Sequence, residues 1–240
     1  MSGPRLYVPL QLAAGSELEL PAEAANHLRV LRLQPGQALT LFDGSGGEYP
    51  AELLALDRKR AQVRLGEHHA REAESPLAIT LLQGVSKGER MDFTIQKAVE
   101  LGVAAIRPVF TERSVVQLRG ERLTKRIDHW QAVAAAACEQ CGRNRVPPVL
   151  PALPLPQALA ATAAEQGIVL DPAGSQRLGE LPPAGSFALL IGPEGGLADA
   201  ELAAASEAGY RRLRLGPRIL RTETAGLAML AALQALRGDL

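Results

Sequence analysis

Aromatic residues make up only 3% of this 240-residue chain. So few rings exclude a single-strand nucleic-acid binder built on a series of stacking platforms. Cysteine is almost absent: Cys138 and Cys141 cannot form a disulfide framework, which points to a reducing compartment. Net charge is lacking too, with 26 basic side chains against 26 acidic ones. That balance argues against non-specific coating of nucleic acid, while leaving local basic patches able to bind phosphate. No apolar run approaches the roughly 18 residues needed to span a bilayer. Residues 1–15 are broken by Pro4, Pro9 and Gln11 and have no continuous apolar stretch of the signal-peptide kind. The expectation is a cytoplasmic globular protein. What the chain has in quantity is apolar residues, 47% of the total, enough for a sizeable core. At roughly 100–200 residues per domain, its length allows one large domain or two modest ones.

Two patterns divide the chain. Over 1–72, short segments with partial alternation (6–8, 17–20, 39–42, 49–54 and 62–65) predict strands separated by Gly, Pro or Asp turns. Asp43-Gly44-Ser45-Gly46-Gly47 is the strongest of these turns. Several short strands so spaced suggest a small β-barrel. A charged stretch at 67–75 reads as a connector. From Leu77 onwards the pattern becomes α/β: strands at 77–85, 105–110, 167–170, 187–191 and 212–215 alternate with helices at 92–101, 122–140, 200–208 and 224–237. Such alternation implies a mostly parallel sheet with helices on both faces, and 147–156 reads as an extended connection within it. The expected domains are therefore 1–72 and 77–240.

Parallel sheets bind ligands beyond the carboxyl ends of their strands, which directs attention to the loops there. Gly192-Pro193-Glu194-Gly195-Gly196 follows one strand, and its glycines allow close backbone approach. It is either a ligand loop or an ordinary strand-to-helix turn. It matches neither the Walker A loop nor the dinucleotide fingerprint, so a phosphate-anchored nucleotide has little support. Residues 215–224 (Leu215, Gly216, Pro217, Arg218, Ile219, Leu220, Arg221, Thr222, Glu223, Thr224) lead into the final helix, with Thr222 placed to cap it. Their apolar side chains beside backbone donors suit a flat, uncharged ring such as adenine.

Other groups carry two readings each. Cys138 and Cys141 form a C-x-x-C at the end of a helix, where the dipole raises thiol pKa values, and no histidine pair offers a zinc site. Packing is the expected role, with no metal. Arg143, Asn144 and Arg145 either bind phosphate or base, or simply cap the preceding helix. His27, Arg29 and Arg32 are a comparable basic group. Lys87, Glu89 and Arg90 lie between glycines and read as a surface turn. The final helix is apolar nearly all round, so it is buried in a core or a subunit interface.

Taken together, five blocks occur in order: Gly84-Val85-Ser86-Lys87-Gly88-Glu89-Arg90-Met91-Asp92, Gln96-Lys97-Ala98-Val99-Glu100-Leu101-Gly102, Glu139-Gln140-Cys141-Gly142-Arg143, Ile191-Gly192-Pro193-Glu194-Gly195-Gly196 and Leu220-Arg221-Thr222-Glu223-Thr224-Ala225. This series resembles the bacterial 16S ribosomal RNA uridine N3-methyltransferase family, within the SPOUT (trefoil-knot) methyltransferases, over essentially the whole chain. The resemblance implies an N-terminal PUA-like β-barrel that binds RNA and a C-terminal trefoil-knotted α/β methyltransferase domain. It implies S-adenosyl-L-methionine as cofactor, held by Leu170 and the loop after it, by Gly192, Pro193, Glu194, Gly195 and Gly196, and by Leu215, Gly216, Ile219, Leu220, Thr222, Thr224 and Ala225. It also implies 16S rRNA as substrate, within the assembled 30S subunit, and a homodimer formed through the knot helices. RNA contacts would come from Arg5, His27, Arg29, Arg32 and Arg143. Arg143 and Arg221 are the candidates for holding the uracil oxyanion or a nearby phosphate, and Glu194 is a further catalytic candidate. Ala198 departs from the usual Ser or Thr cap, so the following helix either lacks a side-chain cap or is capped by Asp199 with a shifted start. Two other functions remain open on the residues: ribose 2′-O-methylation by a related knotted enzyme, and a non-catalytic RNA-binding or ribosome-assembly module.

Overall fold

The structure, a computed structural model, describes residues 3–116 and 118–240. The chain divides into two compact units, 1–74 with 135–146 and 75–134 with 147–240. The expected boundaries, 1–72 and 77–240, made no allowance for 135–146 joining the first unit.

In the first unit, β1 (Arg5–Tyr7), β2 (Glu17–Leu20), β3 (Ala38–Phe42), β4 (Tyr49–Leu56) and β5 (Ala61–Leu65) form a five-stranded sheet in the order β1-β3-β4-β5-β2. All neighbours are antiparallel except β1 and β3. Strand β5 shows why the register is fixed. Ala61, Val63 and Leu65 are buried while Gln62 and Arg64 are exposed, so a slip of one residue would turn the apolar set to solvent. The core gathers Leu6, Leu20, Leu41, Leu53 and Val63. Helix α1 (Ala22–Val30) packs on it through Ala25 and Leu28. This helix was not expected. Two buried anchors three residues apart are too few to set a visible period, and its alanines are ambiguous alone. The connector at 67–75 is also more than a tether: Arg71 donates to the Gly142 carbonyl, and Glu72 accepts from the Gly47 amide.

In the second unit, β6 (Ala78–Gly84), β7 (Ala105–Phe110), β8 (Leu153–Pro154), β9 (Gln166–Leu170), β10 (Ser186–Ile191) and β11 (Tyr210–Leu213) form a sheet in the order β11-β9-β10-β6-β7-β8, parallel throughout. Helices α2 (Arg90–Glu100), α3 (Gly120–Cys141, of which 135–141 belong to the first unit), α4 (Leu155–Ala160), α5 (Asp199–Glu207) and α6 (Thr222–Arg237) provide the crossovers and the final segment. Central strands are buried on both faces, so β10 reads Phe-Ala-Leu-Leu-Ile without alternation. The stretch at 147–156 is only partly the extended connection expected: it also contains β8 and the start of α4. Helix α5 starts at Asp199 with Ala198 in the N-cap position and no side-chain cap bond, so Asp199 does not take over the cap with a shifted start. The Glu201 carboxylate accepts from the Ala198 amide at 2.9 Å, which partly replaces the missing side-chain cap. No helix is long and apolar enough to cross a membrane, among the described residues.

Candidate active site

The strand order brings the carboxyl ends of β11, β9 and β10 side by side, so the loops after Leu213, Leu170 and Ile191 emerge together. Between them lies a cavity of about 530 Å³, within the range typical of small-molecule sites. Of the expected cofactor positions, Leu170, Gly192, Pro193, Glu194, Gly196, Leu215, Gly216, Ile219, Leu220, Thr222 and Ala225 line it. Gly195 and Thr224 do not. The Gly195 carbonyl instead accepts from Arg113 at 3.2 Å, and a Cβ at Gly195 would meet the Arg113 side chain at 3.0 Å. Thr224 faces solvent on α6.

Local chemistry explains the shape of the turn after β10. Gly196 has φ +71°, the left-handed region that favours glycine. A Cβ on Gly84, at the end of β6, would come within 2.5 Å of the Pro193 nitrogen. The neighbouring strand tip therefore presses directly on this turn, and only glycine fits there. Glu194 points back across the same contact, accepting from the Lys87 amide at 3.0 Å and from Arg90 at 2.5 Å. Partial burial pushes its carboxyl up, but the Lys87 amide and the Arg90 guanidinium outweigh that and hold it below the usual carboxylate range. Glu194 is thus an ionised loop anchor.

Thr222 does not cap α6 as expected. Arg221 occupies the N-cap position and Thr222 is the first helical residue. Its hydroxyl donates to the Gly192 carbonyl instead, at 2.6 Å. On the third loop, Asp171 is buried and accepts from Arg212 at 2.8 and 2.5 Å and from the Ala173 amide at 3.0 Å. These bonds pin the turn after β9 at the cavity edge.

Arg90 and Arg113 also line the cavity and were not expected there, while Asp171, in the loop after Leu170, and Arg218 and Glu223, within 215–225, lie in stretches expected to hold the cofactor without being singled out. Arg90 was read as part of a surface turn because nothing local reveals that β6 lies beside β10. Glu223 sits 3.9 Å from Arg90 Nε, and its side chain is only 16% exposed. Arg221 lines the cavity and is exposed.

The remaining expected residues belong to the first unit. Arg143 is buried, and its guanidinium is ion-paired with Glu74 at 2.5 Å. Arg5 pairs with Glu48 and donates to the Asn144 side chain at 2.7 Å. Arg29 and Arg32 are exposed and His27 is half-buried. Cys138 is buried, which pushes its thiol up to about 12 and makes it inert. No group of His, Cys, Asp and Glu fit to hold a metal occurs among the described residues.

Comparison with known proteins gives a consistent picture. A family model described as an RNA methyltransferase domain matches residues 73–234, and one described as an RNA methyltransferase PUA domain matches residues 20–66. A protein of Buchnera aphidicola (subsp. Schizaphis graminum) named ribosomal RNA small subunit methyltransferase E is 35% identical, over 99% of this chain and 98% of its own. The Bacillus subtilis protein of the same name is 31% identical, over 95% of each chain. Among solved structures, a ribosomal RNA small subunit methyltransferase E from Neisseria gonorrhoeae bound to S-adenosyl methionine is 44% identical. It superposes with a TM-score of 0.93, covering 99% of both chains. A Legionella pneumophila protein solved with the same cofactor is 41% identical, with a TM-score of 0.96 over 99% of both chains.

Proposed function

Since the chain belongs to the RNA methyltransferase family, with the parallel α/β domain of SPOUT type and a PUA domain before it, we propose that it methylates N3 of a uridine in 16S ribosomal RNA, using S-adenosyl-L-methionine. The observation that carries this reading is the convergence of three strand-end loops on one cavity of about 530 Å³. The cavity suits the cofactor in chemistry as well as size. Leu170, Ile191, Leu197 and Leu220 offer apolar walls for an adenine ring, the turns at Gly192 and Gly216 offer backbone groups, and Glu223 offers a carboxylate towards positive charge. When bound, S-adenosylmethionine supplies a methyl group already activated by its sulfonium.

The protein's part is positioning and charge. Thr222 and Glu194 hold the turn after β10, and Asp171 holds the turn after β9. A methyl acceptor aligned by such fixed walls gains rate from orientation alone. Arg221, exposed at the rim, is the cation proposed to hold the uracil oxyanion or an adjacent phosphate. The bonds to Glu194 and Arg143 support an anchoring role for both, Glu194 for the cavity wall and Arg143 within the first unit. Arg29 and Arg32, exposed at the end of α1, are proposed RNA contacts, with His27 beside them. The enzyme is proposed to act in the cytoplasm, on the assembled 30S subunit, as a homodimer. Leu236, 62% exposed on α6, provides apolar surface for a second copy.

Methyl transfer from labelled S-adenosylmethionine to 30S particles and to naked 16S RNA, followed by mass spectrometry of the nucleosides, tests the whole reading. N3-methyluridine formed preferentially on particles is the expected product. A 2′-O-methylated ribose would redirect it to the related chemistry, and no transfer to either substrate would overturn it.

A further inference from the structure

A second recess, of about 560 Å³, is lined by Lys87, Gly88, Glu89, Arg90, Phe93 and Glu223. It shares two walls, Arg90 and Glu223, with the cavity described above. Phe93 is unusual in this chain. Aromatics are scarce and the other seven are buried or half-buried, yet Phe93 is 48% exposed, on the first turn of α2, lining the same recess as those two charged groups. A free aromatic face next to a carboxylate and a guanidinium is chemically specific. The reactive edge of uracil presents a carbonyl, an N–H and a second carbonyl, whereas cytosine N3 carries no proton. A carboxylate that accepts from N3–H, flanked by a guanidinium that donates to a carbonyl, complements uracil, whereas cytosine can meet the same carboxylate only through its amino group and offers it no N3 proton to remove.

We propose that this recess is the acceptor-base site: Phe93 stacks on the everted uracil, Arg90 donates to a ring carbonyl, and Glu223 receives the N3 proton. The assignment rests on the N3-methyl-transfer reading above. In the step, the N3–H bond breaks and its proton goes to a Glu223 carboxylate oxygen. The pair left on N3 forms the bond to the methyl carbon, and the carbon–sulfur bond breaks with its pair staying on sulfur. Sulfonium, neutral base and carboxylate become thioether, methylated base and carboxylic acid, and the acid then yields its proton to water. The shared wall places the proton acceptor on the boundary between the two recesses, where the transfer must occur.

Full-length variants test this. Phe93→Ala is expected to raise KM for 30S particles about tenfold, the scale of one lost base–aromatic stack. The S-adenosylmethionine affinity by calorimetry and the sedimentation coefficient should stay unchanged, and Phe93→Tyr should restore KM. Glu223→Gln is expected to lower kcat with little change in KM. In the cofactor-free protein, uridine monophosphate is expected to shift the Phe93 ring resonances further than cytidine monophosphate does at the same concentration. An unchanged KM in Phe93→Ala, a changed sedimentation coefficient, or equal responses to the two nucleotides would overturn the assignment. Wild-type formation of N3-methyluridine alongside any of these results would leave the proposed function standing. Failure of the wild-type enzyme to methylate N3 would remove both.

Discussion

The Thr222 hydroxyl donates to the Gly192 carbonyl at 2.6 Å, tying the first turn of α6 to the turn after β10. A carbonyl oxygen can only accept, so the hydroxyl keeps its lone pairs for a donor. The fully buried Gln83, near the end of β6, provides one, with Nε2 at 2.8 Å. Its Nε2 also reaches the Gly84 carbonyl at 3.2 Å. That pattern fixes the orientation of the amide. It leaves Gln83 Oε1 buried and without a partner among the described residues. One hydroxyl therefore joins β6, β10 and α6 at the edge of the cofactor cavity.

Thr222→Val keeps the shape and removes the hydroxyl. The Gly192 carbonyl and the Gln83 amide are then left without their partner, which costs about 1–3 kcal/mol. Urea unfolding should show that loss, and calorimetry should show weaker S-adenosylmethionine binding. Thr222→Ser should recover most of both. A valine variant with the wild-type midpoint and affinity would mean that the chain of bonds does not shape the cavity.

Glu194 gives a pH prediction. Its carboxyl is lowered in the folded protein, so the stabilisation it contributes is complete above the unfolded value and is lost as pH falls through the folded one. Cofactor affinity should therefore show no Glu194-dependent change from about pH 8 to about pH 5. The drop should come only at more acid pH, when the carboxylate no longer accepts from Lys87 and Arg90. Glu194→Gln should weaken binding across the plateau and lose the acid drop. An unaltered acid limb in that variant would assign it to another group.

The sequence made the loops legible and left their partners hidden. The turn after Ile191 and the stretch from Leu215 to Ala225 stood out because glycines and apolar residues at strand ends have local meaning. Arg90 did not, because its role depends on β6 lying next to β10, a pairing of strands about a hundred residues apart that no local pattern encodes. Arg143 shows the opposite case. Its neighbourhood in the sequence suggested an anion site, but Glu74 already holds its guanidinium. Helix α1 escaped notice because an alanine-rich segment with two buried anchors carries almost no period.

Tyr210 tests whether the second unit tolerates a wasted polar group. Its hydroxyl is buried with no partner among the described residues, and burial pushes its pKa up to about 12. Tyr210→Phe removes the stranded oxygen and keeps the ring. Stability should stay level or rise by up to about 1 kcal/mol, read as the urea midpoint. A loss larger than that would show that an ordered water satisfies the hydroxyl.

Arg143→Ala separates an anchor from a catalyst. The guanidinium of Arg143 donates to Glu74 through Nε and Nη2, and the Arg143 carbonyl accepts from Arg5. Truncating the side chain leaves a half-buried Glu74 carboxylate without this partner, so unfolding should become easier by about 2–4 kcal/mol. The double variant Arg143→Met with Glu74→Leu removes both charges and should recover much of that stability, because no orphaned carboxylate remains. If the double variant also recovers methyl transfer, Arg143 acts by holding the first unit together. If it is as stable as the wild type yet stays inactive on 30S particles, with normal S-adenosylmethionine affinity, the guanidinium itself touches RNA and its pairing with Glu74 must open when the substrate binds.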